Sequence, residues 1–89
     1  MEYFRFTKHA LEKMFERAIS PDQCIEAFRQ NIVIEDYPKD TPFPSQLRMG
    51  KLSRKVLHIV VSFDGDLVHF ITAYEPDPDR WNADFSKRK

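Results

Sequence analysis

The stretch Val56–Tyr74, VLHIVVSFDGDLVHFITAY, leaves this chain few choices of fold. Apolar and β-branched residues fill both arms, and the Asp64–Gly65 pair between them suits a two-residue turn that demands positive φ. An antiparallel hairpin is predicted. Because strand side chains alternate, the turn also assigns the faces. Leu57, Ile59, Val61 and Phe63 then lie beside Val68, Phe70, Thr72 and Tyr74 on a nearly all-apolar face that other elements must cover. The opposite face carries Val56, His58, Val60 and Ser62 beside Leu67, His69, Ile71 and Ala73. In this register His58 sits across from Ile71 and His69 across from Val60, which makes the two imidazoles diagonal neighbours at about 7–8 Å.

Elements upstream supply the cover. Tyr3–Phe6 reads as a short opening strand with Phe4 and Phe6 on one side. Thr7 is a suitable N-cap for a helix in which Leu11, Met14, Phe15 and Ala18 form one buried stripe, with His9, Lys13, Glu16 and Arg17 on the wet side. His9 lies in the first turn, where the helix dipole favours a neutral imidazole that can accept a proton. Ser20-Pro21-Asp22-Gln23 combines an N-cap, a first-turn proline and a capping box, and opens a second helix that buries Cys24, Ile25 and Phe28 and ends at Asn31. A strand over 31–37 leads into the proline-rich stretch 36–45, read as a stiff loop between strands.

A further strand around Leu47–Met49 precedes the hairpin. If Leu47 and Met49 join the apolar face, the intervening loop must hold an odd number of residues, for instance Ser53–Lys55. Arg48 and Gly50 then share the open face with His58, so Arg48, His58 and His69 form a candidate site by strand parity. Pro76 and Pro78 end the last strand, Trp81 is expected to dock the tail onto a core, and Ser86–Lys89 to fray.

The 89 residues fit one domain, spanning 1–89. With 31% charged residues, no apolar run long enough to span a bilayer and no basic-then-apolar leader, a cytoplasmic protein without membrane contact is expected. The single cysteine, Cys24, excludes an internal disulfide and reads as a small buried residue. Net charge is +0, so a strongly basic nucleic-acid binder is not announced. The charges are nonetheless segregated. Gln46–Phe63 holds basic residues and no acidic ones, Asp64–Asp79 the reverse, and Arg80–Lys89 is basic again.

Four stretches, FTKHALEKMFERAIS, IEDYP, LHIVV and AYEPDPDRW, resemble a bacterial family known as domain of unknown function 4258. The likeness runs over nearly the whole chain. That family looks distantly similar to RelE-, ParE- and BrnT-type toxins of toxin–antitoxin pairs, which pack two helices on one face of an antiparallel sheet. Ribonuclease members of that group cut messenger RNA, commonly on the ribosome, with basic and hydroxyl or imidazole side chains on the exposed sheet face and near the C-terminus. Some relatives look as though they are encoded beside a zinc-finger antitoxin.

The expectation is therefore an α+β domain, two N-terminal helices on one face of a mainly antiparallel sheet of four or so strands. The resemblance implies a metal-independent endoribonuclease without cofactor, partnered by an antitoxin and acting on RNA or the ribosome. It assigns His58, Arg48 and His9 to the chemistry, and Arg54, Lys55, Arg80 and Arg17 to RNA, with Tyr74 or Arg80 near the scissile bond. Attack by a ribose 2′-OH needs a proton acceptor, a proton donor and cations about the phosphorane. Two alternatives stay open: a noncatalytic protein-interaction module, and a metal site of His58, His69 and an acid such as Asp66 or Glu75.

Overall fold

A computed structural model describes residues 2–89. The chain runs β1 (Tyr3–Phe6), α1 (Lys8–Glu16), α2 (Pro21–Arg29), β2 (Ile32–Tyr37), β3 (Ser45–Lys51), β4 (Val56–Asp64) and β5 (Leu67–Tyr74). The strands make one five-stranded sheet in the order β1-β5-β4-β3-β2, with β1 parallel to β5 and the other pairs antiparallel. The fold is α+β as expected, but the sheet is mixed and has five strands. The added pairing follows from chain direction: two helices between β1 and β2 return the chain to the far edge, so β1 meets β5 running the same way.

Both helices start where their caps predict. Thr7 Oγ1 accepts from the Ala10 amide at 3.0 Å, and Ser20 and Gln23 form the reciprocal capping box at 3.1 and 3.0 Å. Asn31 closes α2 at φ 57°. The α1 stripe differs from expectation. Ala10 and Met14 are its buried residues, while Leu11 is 47% and Phe15 89% exposed and Ala18 lies beyond the helix at φ 56°. A nine-residue helix rests on β5 along one narrow i, i+4 ridge, so residues one step round the helix are left outside.

The main core lies between helices and sheet: Ala10, Met14, Cys24, Ala27 and Phe28 pack against Leu57, Ile59, Val61, Val68, Phe70 and Ala73. Phe4 and Phe6 join it as predicted, Phe6 stacking on Phe70 at 4.6 Å. Burial pushes the Cys24 thiol up to about 11, against the opposing charge of Lys55, so Cys24 is a packing residue.

The hairpin forms, but its turn is Gly65–Asp66, one residue later than predicted, with Gly65 at φ 55°. Val61 pairs with Phe70, yet Val60 pairs with Thr72, so Ile71 is an extra residue in β5. That bulge inverts the faces beyond it. Ala73 turns into the helical core, and Tyr74 turns out to lie opposite His58. The expected pairs His58–Ile71 and His69–Val60 are replaced by His58–Tyr74 and His69–Ser62.

Candidate functional site

The proposed partnership of Arg48 and Gly50 with His58 is overturned by the β3–β4 register. Leu52–Lys55 is a four-residue loop closed by the Leu52 amide donating to the Lys55 carbonyl at 2.8 Å, and Met49, not Gly50, faces His58. An even loop inverts the parity, so Arg48 and Gly50 lie under α2 while Leu47 and Met49 take the His58 face. Gly50 is needed there because a Cβ would overlap the backbone and Cβ of Ala27. Arg48 donates to the Phe28 carbonyl at 3.1 Å and lies 4.3 Å over the Phe28 ring. It therefore satisfies a carbonyl of the last turn of α2, where a cation is favoured.

His58 is fully buried, on the side of the sheet away from the helices. What covers it is the tail: Trp81, 4% exposed, packs edge-to-face on the imidazole at 4.4 Å. The tail does not fray as expected. The Lys89 amide donates to the Arg80 carbonyl at 2.9 Å, and Arg88 bonds Glu35 at 3.2 Å while lying 4.7 Å over Trp81. A carbonyl only accepts, so His58 Nε2–H must donate to Phe85 O, at 2.8 Å. Nδ1 is then the acceptor for the Tyr74 hydroxyl at 3.3 Å. Burial lowers the His58 pKa, the Phe85 bond opposing, and burial raises that of Tyr74. Both shifts favour the neutral pair.

Tyr74 is half-buried and also lines a cleft of about 230 Å³ with Glu75, Asp77, Arg80, Trp81 and Arg88. Two guanidinium groups, a phenol and two carboxylates thus converge, with a neutral imidazole directly behind the phenol. Tyr74 reaches this place only through the Ile71 bulge, and Arg88 only through a structured tail. Strict alternation and an expected frayed end both hid it.

A family model for a domain of unknown function (DUF4258) matches residues 6–75. The chain belongs to that family. The match takes in His58 and Tyr74 and stops before the DUF4258 chain supplies Arg80, Trp81 and Arg88. No curated protein and no solved structure matches it.

The remaining predicted residues scatter over the DUF4258 domain. His9 and Arg54 are exposed, on α1 and the β3–β4 loop. Arg17 donates to the Ala73 carbonyl at 2.8 Å and Lys55 to the Ala18 carbonyl at 3.3 Å, so both tie segments together. Only Arg80 reaches the cleft beside Tyr74. His58 and His69 are not brought together, and no group of three metal-ligating side chains forms among the described residues.

A second, larger cavity of about 380 Å³ lies over the other end of this sheet face. Ser45, Val60, Ser62, His69 and Ile71 line it from the sheet, Asp40–Phe43 from the proline-rich loop, and Thr7 from the β1–α1 junction. His69 stacks on Phe43 at 5.8 Å, and its buried Nε2 has no hydrogen-bond partner in the protein. The loop anticipated as a spacer thus builds a wall. Its signal in the sequence was a polar alternation, Ser45 and Ser62 opposite one another beside His69.

Proposed function

We propose that this protein is the toxin of a toxin–antitoxin pair, RelE- or BrnT-like, that cleaves RNA from the cleft around Tyr74. The observation that carries the reading is the Tyr74–His58 hydrogen bond behind a cleft flanked by Arg80 and Arg88. Two helices on one face of the sheet, as the resemblance implies, support the fold part. In the reaction, the ribose 2′-oxygen bonds to phosphorus and the 5′-oxygen leaves, giving a 2′,3′-cyclic phosphate. Tyr74 takes the 2′-proton while passing its own to Nδ1 of the neutral His58, and the leaving oxygen takes a proton from water; the hydroxide so formed recovers the proton back through Tyr74, which restores the phenol and the neutral imidazole. Arg80 and Arg88 stabilise the phosphorane. Glu75 and Asp77 beside them keep the cleft from being a general phosphate trap, in line with the zero net charge.

Induction in bacteria tests this with Tyr74→Phe, which removes one hydroxyl and little packing. Wild type should arrest growth and leave cyclic-phosphate ends on ribosome-associated message, and Tyr74→Phe should do neither. A harmless wild type, or a variant as active as its parent, ends the reading. The exposed Leu11 and Phe15 favour a second one, a noncatalytic module that holds a protein partner through α1. A stable partner recovered from cells that grow normally and keep intact message would support it.

A further inference from the structure

We infer that the 380 Å³ cavity is a pocket for one unpaired nucleobase, guanine in preference to the others. The inference deepens the RNA reading above by assigning its recognition to a second place on the same sheet face. No lysine or arginine lines the cavity and Asp40 does, its carboxylate accepting from Ser45 Oγ at 2.5 Å, so a phosphate inside would meet a negative charge. The interior calls for an uncharged group with flat apolar faces and a polar edge. Val60, Ile71, Pro42 and the nearly parallel rings of Phe43 and His69, 15° apart, supply the faces. The Ser62 hydroxyl and the Asp40 carboxylate supply the edge.

Two features narrow the class. Asp40 Oδ2 keeps a second lone pair beside its bond from Ser45 Oγ, so both carboxylate oxygens can accept, from the N1–H and N2–H of guanine together, whereas adenine and cytosine offer one amino group and uracil one imino group. Arg5 pairs in register with His69 across β1 and β5, so its side chain leaves the sheet on the same face about 4.8 Å away. It is exposed and forms none of the ion pairs of the described residues, so from its place beside His69 it would be free to meet the phosphate of a nucleotide whose base is inserted. That cation favours a nucleotide over an arginine side chain from a partner protein, which the Asp40 carboxylate alone would also suit.

Titration of the full chain with guanosine, the four nucleoside 5′-monophosphates and N-acetylarginine amide, followed by NMR and calorimetry, tests the assignment. Guanosine monophosphate should bind tightest and move the signals of Phe43, Ser62 and His69. Asp40→Asn, in an exposed loop, should lower its affinity about tenfold or more relative to adenosine monophosphate. Arg5→Ala should weaken the monophosphate and leave guanosine unchanged. Nucleotides that move no cavity signal, an Asp40→Asn variant that keeps its guanine preference, or tighter binding of the arginine amide would each overturn the pocket. Guanine binding without RNA cleavage would support the pocket while removing the nuclease, and cleavage by a chain that binds no base would do the reverse.

Discussion

Sealed under Trp81, with one ring nitrogen on a carbonyl and the other on a phenol, His58 rests as the neutral imidazole because burial disfavours its charged form. Its folded pKa lies below the unfolded value of 6.5, so in acid the unfolded chain binds a proton that the folded one refuses. Stability is therefore full above about 6.5 and falls with pH until the folded pKa is reached, at a slope approaching about 1.4 kcal/mol per unit. Glu35, held low by the Tyr37 hydroxyl and then by Arg88, takes over only below its ordinary 4.5. Urea midpoints between pH 7.5 and 5 should show the loss for wild type and a flatter profile for His58→Gln; equal profiles would remove His58 as the cause. Gly50→Ala should cost about 1–3 kcal/mol by forcing α2 away from β3, read as a lower urea midpoint with unchanged slope. Alternation put His58 on the face away from the helices, where it lies, but it also put Gly50 there, and it did not foresee that the tail would bury the imidazole. The alternation was right along each strand, but an even loop and one bulged isoleucine decided which face each stretch presents.

At the scale of elements, legibility followed locality. Thr7, Ser20-Pro21 and Gly65 act within a few residues of themselves, and the helices and hairpin they announce are present. The tail has one such signal, Trp81, which docks as expected, and none for its folded end. Its shape rests on Asn82, whose amide donates to the Lys87 carbonyl at 2.8 Å and whose side chain accepts from the Ser86 and Lys87 amides at 3.0 and 3.2 Å. Those bonds hold Trp81 over His58, Leu47 and Met49 stay buried on that face, and the sheet acquires a second apolar layer. Trp81→Ala should cost about 3–5 kcal/mol, a large share for a domain of this size. It should also hydrate His58 and so flatten the pH profile that the parent shows. A variant that loses stability but keeps the full acid slope would mean that the tail buries apolar surface without governing the imidazole.

For the whole molecule, the two faces of the sheet divide the labour. One is sealed by the helices; the other is closed by the tail at the His58 end and hollowed by the proline loop at the His69 end. The outer side of α1 belongs to neither layer, and Leu11 and Phe15 stand there one turn apart. Replacing both by serine removes no core contact, so stability should change by no more than about 0.5 kcal/mol per site. The pair consequently separates the two functional readings in one experiment. If a protein partner docks on α1, Leu11→Ser with Phe15→Ser should abolish its co-purification while Tyr74→Phe leaves it intact. If RNA cleavage is the activity, the double variant should still arrest growth when induced alone and should resist neutralisation by that partner. A double variant that keeps the partner would place docking elsewhere, with the edge strands β1 and β2 the next surfaces to change.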